Sequence, residues 1–162
     1  TESEGMKDWD KPLVVLIAIV GPVLFIITAG LDKRFAWSAD VALPIQLGAL
    51  LIFLLGYAFS TWALIVNRFF SSVVRIQTER GHTVVASGPY RFVRHPGYIG
   101  GIVAWLASPI LLGALWSFIP AVIVVVLYIV RTALEDRTLQ AELPGYAEYA
   151  QRTRYRLLPG VW

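Results

Sequence analysis

An all-α integral membrane domain with four transmembrane helices is the fold this sequence predicts, and three observations predict it. Of the 162 residues, 57% are hydrophobic and 15% charged, whereas a soluble domain carries about 25% charged residues. The apolar residues are gathered into long runs without Asp, Glu, Lys or Arg. The basic residues then sort by loop, crowding one side of those runs. Together these predict a single membrane domain over residues 1–162, without internal repeat or low-complexity linker.

The first run, residues 12–31, is about 30 Å long as a helix, the thickness of a hydrocarbon core. Its length and flanks fit a retained span rather than a cleaved leader. Gly21-Pro22 at its middle predicts a kink, which membrane helices tolerate where neighbours satisfy the freed carbonyls. The second run, residues 41–66, crosses with tilt. It continues into a stretch where Phe69/Val73 and Phe70/Val74 are i,i+4 apolar pairs, predicting a helix along the bilayer surface.

From His95 to Val130 there is no Asp, Glu, Lys or Arg for 36 residues. One helix of that length would run about 54 Å, far beyond one bilayer. A short helical hairpin fits better, with spans at 98–112 and 117–134 turning at Gly113. Segments 67–97 and 135–162 are then cytoplasmic, the first a loop and the second containing a C-terminal helix.

Loop charge sets the orientation. Arg68, Arg75, Arg80, Arg91 and Arg94 lie between spans two and three, and Arg131, Arg137, Arg152, Arg154 and Arg156 in the tail. Lys7 and Lys11 precede the first span, while the opposite side has only Lys33 and Arg34. Both termini are therefore expected in the cytoplasm.

Composition excludes several functions. With no Cys there is no disulfide framework, thiol nucleophile or thiolate metal site. Two His and eleven scattered acids predict no metal site. A net charge of +3 is too small and dispersed to predict a nucleic-acid partner.

Polar chemistry falls in two segments. The first runs from Gly81 through His82, Thr83, Val84, Val85, Tyr90, His95, Pro96, Gly97 and Tyr98 to Gly101. Pro96 suits a helix start, so His95 stands where free amides and the positive dipole end favour an anionic group. Tyr90 and Tyr98 offer aromatic faces to a cation or an adenine ring; the plainer reading makes them interfacial belt residues. The second segment is Arg131-Thr-Ala-Leu-Glu135-Asp136, followed by Gly145-Tyr146-Ala-Glu-Tyr149. Arg131 and Glu135 are one helical turn apart, so an i,i+4 ion pair with a snorkelling Arg is the ordinary reading. The functional one is a bidentate Arg131 grip on a substrate carboxylate.

The combination Gly-Pro-Tyr-x-x-x-Arg-His-Pro-x-Tyr-x-Gly, an uncharged hairpin, Arg-x-x-x-Glu-Asp and Gly-Tyr-x-x-Tyr resembles the isoprenylcysteine carboxyl methyltransferase family. That family belongs to a membrane methyltransferase group that includes phospholipid N-methyltransferases. The resemblance covers residues 75–159. It implies S-adenosylmethionine as methyl donor at the cytoplasmic face, with cofactor contacts on His82, Thr83, Val84, Val85, Tyr90, His95, Pro96, Gly97, Tyr98 and Glu135. It implies Arg131 as the substrate-carboxylate contact, with Arg131 and Glu135 the catalytic pair. A family Gln ahead of the His-Thr segment falls on Arg75, with Gln77 two residues further on. The family's Glu-Glu pair is Glu135-Asp136 here.

The implied partners are membrane lipid and a lipophilic or prenylated substrate, with no metal. An ionised carboxylate acceptor needs no general base; an amine acceptor would need His82 or His95. Three alternatives remain at this level: a phospholipid or small-molecule methyltransferase, an NADPH-dependent membrane reductase, and a non-enzymatic membrane protein meeting anionic lipid.

Overall fold

The structure, a computed structural model, describes residues 5–162; the first four residues of the expected 1–162 domain lie outside the described ones. The described residues are helical and irregular, without a strand. Four long helices form the body: α1 (Asp10–Phe35), α2 (Leu43–Val66), α3 (Pro96–Leu111) and α4 (Phe118–Glu142), with a short α5 (Tyr146–Arg152) beyond. Three are long and apolar enough to cross a bilayer: α1 with 26 residues, α2 with 24, and α4 with its preceding turn, 28. α3 is apolar but has 16 residues, about 24 Å at 1.5 Å per residue.

The surface of the bundle identifies its solvent. Ile65 is 77% exposed, Ile26 69% and Leu43 65%, and the sides of α1, α2 and α4 carry many such residues. A water-soluble fold would hide contiguous apolar surface of this kind. Here it faces hydrocarbon, and the buried side of each helix carries small residues instead: Ala29, Ala49, Ala63, Ala104 and Ala121. Close helix approach through small side chains is how membrane bundles pack. A Cβ on Gly100 of α3 would fall 2.9 Å from the Ser60 amide and still closer to the Gly56 carbonyl of α2. The Ser60 hydroxyl adds a 2.6 Å bond to the Gly97 carbonyl.

The elements depart from expectation in instructive ways. α1 starts two residues before the expected span because Asp10 is drawn inside, fully buried. It ends four residues later, with Lys33 and Arg34 in the last turn, where cations suit the helix dipole. At Gly21-Pro22 the adjustment is a π-helical turn over Leu16–Val20, which accommodates the hydrogen bond that Pro22 cannot donate. The third helix begins at Pro96, not 98. The fourth continues through Glu142, eight residues beyond 134, so part of the expected tail segment is helix. The expected surface helix after Val66 does not form. Asn67 is extended, its side-chain oxygen accepts the Phe69 amide at 3.0 Å, and the chain turns away. This local side-chain bond competes with helix continuation. The turn at Gly113 is as expected, with φ of +59°, a conformation that favours glycine.

Each end of the bundle is tied by a buried carboxylate. At one end Asp32 accepts the Ser38 amide (2.8 Å), the Ser38 hydroxyl (2.7 Å) and the Trp116 amide (3.0 Å), joining the α1–α2 and α3–α4 connections. At the other end gather the start of α1, the finish of α2, the head of α3 and the finish of α4, which together build the site.

Gly100→Ala should lower the thermal midpoint in detergent, by an overpacking cost of about 1–3 kcal/mol. Gly101→Ala, whose Cβ would meet only Tyr128 at 3.8 Å, should leave it unchanged or raised. Parallel melts of the two variants check this.

Candidate functional site

The loop between α2 and α3 is shaped by its own polar residues. Gln77 is buried; its amide nitrogen donates to the Phe69 carbonyl (2.6 Å) and its oxygen accepts from Arg80 (2.6 Å). The backbone amide of Gln77 donates to Nδ1 of His82 at 3.3 Å, and the His82 amide returns a bond to the Gln77 carbonyl at 3.2 Å. This closes a small ring around the Thr78–Arg80 turn and presents His82, Thr83, Val84 and Val85 on one side. Phe69 lies against the His82 ring at 4.6 Å.

A cavity opens between this loop, the head of α3 and the finish of α4, with about 770 Å³ of empty space, its mouth included. Of the ten residues expected to hold a cofactor, His82, Thr83, Val84, Val85, Tyr90, His95, Gly97, Tyr98 and Glu135 all line it. Pro96 is buried at the head of α3 without lining it. Arg75 lines the cavity as well, while Gln77 does not. α5 closes one wall: Tyr146 and Tyr149 are buried with Leu143, and Ile76, Val84 and Leu139 pack against them.

Glu135 and Asp136 divide their work. Glu135 faces the cavity and accepts the Tyr98 phenol at 2.5 Å. Asp136 is fully buried and accepts Arg94 in a two-bond fork (2.7 and 3.0 Å), Arg156 (2.8 Å), Gln140 (2.7 Å) and the Tyr146 phenol (3.1 Å). His95 Nε2 lies 3.3 Å from the same carboxylate. Arg94 also donates to the carbonyls of Thr153 and Arg154, and the amides of Arg94 and His95 bond to the carbonyls of Tyr155 and Arg156. The tail is thereby tied to the head of α3. Sequence reasoning missed this hub. Its available signal was Arg94 beside His95 at the mouth of an uncharged run, a charge that needs a partner.

Arg131, expected to hold a substrate carboxylate, is placed elsewhere. Its Nε and Nη2 donate to Asp10 at 2.7 and 3.0 Å, and Nη2 also reaches the Ser72 carbonyl at 2.8 Å. Asp10 in turn accepts the Val74 amide at 2.7 Å, and the Lys7 amide donates to the Val74 carbonyl. Arg131 does not line the cavity; its guanidinium carbon lies 5.7 Å from the Tyr98 ring centre, next to the wall. The i,i+4 partner suggested by helical spacing, Glu135, has taken Tyr98 instead.

Titration follows from these surroundings. Burial, with the charge of Arg80 second, holds the His82 imidazole below its ordinary 6.5; Glu135 and Glu79 oppose this more weakly. Neutral His82 is also what its geometry requires, since Nδ1 accepts a backbone N–H and the ring proton is thereby assigned to Nε2. Burial pushes the Tyr90 phenol up to about 12, although a bond from Asn67 pulls the other way. Burial likewise raises Tyr146 and Tyr149. The described residues contain no grouping of three or more His, Cys, Asp or Glu that could hold a metal.

With the geometry in view, comparison with known proteins is informative. A family model described as the isoprenylcysteine carboxyl methyltransferase (ICMT) family matches residues 47–141. The chain belongs to that family. The match takes in most of α2, the loop, α3 and nearly all of α4, and so every cavity residue named above except Leu143, Tyr146 and Tyr149. Asp10 and Arg156 fall outside it.

Two relatives can be compared. The cobalt-zinc-cadmium resistance protein CzcN of Cupriavidus metallidurans is 30% identical over 138 residues, 81% of this chain and 57% of that protein. The protein-S-isoprenylcysteine O-methyltransferase of Saccharomyces cerevisiae is 31% identical over 96 residues, 53% of this chain and 40% of that protein. The chain thus spans about half the length of these relatives. Family membership and the apolar helices make it an integral membrane protein.

Two outcomes test this site. Asp136→Ala leaves buried Arg94 and half-buried Arg156 around an empty place, and loss of one partner from a buried pair costs about 3–5 kcal/mol. A large fall in melting temperature and early proteolysis of the tail are expected. For His82 the depressed value fixes the sign: the unfolded chain binds its proton first as pH falls below 6.5, so stability present at neutral pH is lost on acidification. The midpoint should drop from about pH 7 to about pH 5.5, and less so in His82→Gln.

Proposed function

We propose that this chain is an S-adenosylmethionine-dependent methyltransferase of the membrane, acting on an ionised oxygen, a carboxylate, of a lipophilic acceptor such as an isoprenylcysteine. The observation that carries the reading is the convergence of His82 to Val85, Tyr90, His95, Gly97, Tyr98 and Glu135 on one cavity in a chain of this family. In this reading the bundle crosses the bilayer four times, α3 included, with both termini and the cavity on the cytoplasmic side, as the distribution of Lys and Arg favours.

The cavity suits the donor in chemistry. Glu135, whose hydrogen-bond partner is a neutral phenol, offers negative charge to the cavity, and Tyr90 and Tyr98 offer aromatic faces to a cation. His82, Thr83, Val84, Val85, Tyr90, His95, Pro96, Gly97, Tyr98 and Glu135 would hold it. The donor, when bound, supplies an electrophilic methyl group on a positively charged sulfur.

The chain's own residues then align and exclude water. Tyr98, fixed between Glu135 and Arg131, orients the wall nearest the bundle. Its ring lies 5.5 Å from Tyr128, which lines a second, apolar cavity with Phe25, Phe53, Tyr57 and Trp105 among all four helices. An apolar acceptor tail would lie there with its polar end toward Tyr98. His82 Nδ1 already accepts a backbone amide, and His95 Nε2 is held by Asp136. A carboxylate acceptor is already ionised at neutral pH and needs no general base.

Arg131 reaches such a carboxylate only when Asp10 leaves its fork. Where Arg131 binds the acceptor, Asp10→Ala should lower the acceptor KM. Where it positions the loop through Asp10, Asp10→Ala and Arg131→Ala should both weaken donor binding.

Calorimetry in detergent should show binding of S-adenosylhomocysteine and none of NADPH. Tyr98→Phe and Glu135→Gln should weaken that binding about tenfold or more, the worth of a hydrogen bond to a charged group. Transfer of tritiated methyl to a prenylcysteine analogue should be detected, with lipid extracts screened alongside. Full donor affinity in both variants together with His95→Ala would end this reading in favour of a non-enzymatic protein.

A further inference from the structure

Between Glu79 and Glu135, and again after Glu148, the sequence holds no Asp or Glu. Two of these acid-free stretches, the turn at 88–95 ahead of α3 and the tail at 152–162, are laid side by side. The amides of Arg94 and His95 donate to the carbonyls of Tyr155 and Arg156, each at 2.9 Å. Along this seam the arginines divide. Arg94 and Arg156 turn inward to Asp136. Arg91, Arg152 and Arg154 are exposed, and their guanidinium groups have no hydrogen-bond or ion-pair partner among the described residues.

The same two stretches expose apolar side chains: Phe92 is 66% exposed, Leu158 55% and Val161 77%. Free cations beside bare hydrocarbon suit the boundary of a bilayer, where apolar groups reach the acyl chains and charged groups meet the headgroups. Packing fixes the turn at that depth. A Cβ on Gly88 would lie 3.0 Å from Val66 and 3.6 Å from the Trp62 indole nitrogen, at the finish of α2. Ile65, in the same turn of α2, is among the most exposed apolar residues of the lipid-facing surface. On the other side Pro96, next after His95, opens apolar α3. The patch therefore continues the surface that the bundle presents to lipid.

We propose that the 88–95 turn and the tail together form a seat for the headgroups of anionic phospholipid. Arg91, Arg152 and Arg154 take the phosphates, and Phe92 and Leu158 enter the interface. In a zwitterionic lipid the headgroup amine offsets the phosphate, so the free arginines favour a lipid of net negative charge. The seat is independent of the donor reading, since none of these five residues lines that cavity. It bears on the site through the tail, which carries Arg156 to Asp136 and two carbonyls to Arg94.

The chain has no Cys, so Phe92→Cys and Leu158→Cys each give one attachment point for a bimane fluorophore. Each labelled full chain is placed in nanodiscs of equimolar phosphatidylcholine and phosphatidylglycerol, with a nitroxide high on the acyl chain of one lipid or the other. Both labels should be quenched more when phosphatidylglycerol carries the nitroxide. The enrichment of that lipid should be about fivefold or more, the worth of one cation at an anionic surface. Replacing Arg91, Arg152 and Arg154 together by Gln should remove the preference. Salt at about 1 M, where the screening length is about 3 Å, should lower it in the chain that keeps its arginines, a comparison that stands even where the triple variant melts early. Equal quenching by the two lipids, or a preference that a folded triple variant or high salt leaves unchanged, would overturn the proposal. So would labels that neither lipid quenches, which would put the patch in water. Fluorescence that changes between discs holding one chain and discs holding two, and not with lipid charge, would assign the patch to a second copy instead.

Discussion

A single carboxylate, Asp136, organises the end of the bundle on which the site is built. It has no exposed surface, and an ion so placed is stable only where good geometry and several hydrogen bonds replace its water. Arg94 brings the loop at the head of α3, Arg156 brings the tail, and Tyr146 brings α5. The head of α3, α5 and the tail meet because one buried charge on α4 requires them. The cavity is the space their meeting leaves.

Adjacent acids on a helix point about 100° apart. That angle separates a residue that builds from one that binds: Asp136 turns to the tail and Glu135 to the cavity. The same angular logic places Arg131 on the Glu135 side, four residues earlier. Asp10 nevertheless captures it from 121 residues away. Arg131 thereby ties the start of α1 to the loop segment at Ser72 and Val74, of which Val74 lines the cavity. The first helix is thus part of the site's support, although it contributes no residue to the cavity.

How much of this was legible in the sequence depends on the range of the interaction. The apolar runs, the turn at Gly113 and the convergence of the loop with the finish of α4 follow from local composition and from the presence of one hydrophobic phase. The surface helix after Val66 failed because apolar i,i+4 spacing carries no information about the Asn67 side chain closing on Phe69. The partners of Arg94 and Arg131 were not readable either. An Arg at a span boundary reads equally as snorkelling, as an i,i+4 pair or as a ligand grip. Which holds depends on what the folded topology brings beside it. Asp10 lay just outside an apolar run and carried no mark of a buried role.

Negative charge at this end of the molecule is nearly all committed inside the protein. Asp136 is shared by two arginines, Asp10 is taken by Arg131, and Glu79 restrains Arg75. Glu135 is different, paired with a phenol. In a site walled partly by aromatic rings, a carboxylate with a neutral partner exerts a longer reach than it would in open solution. Such a group favours a cation in the cavity.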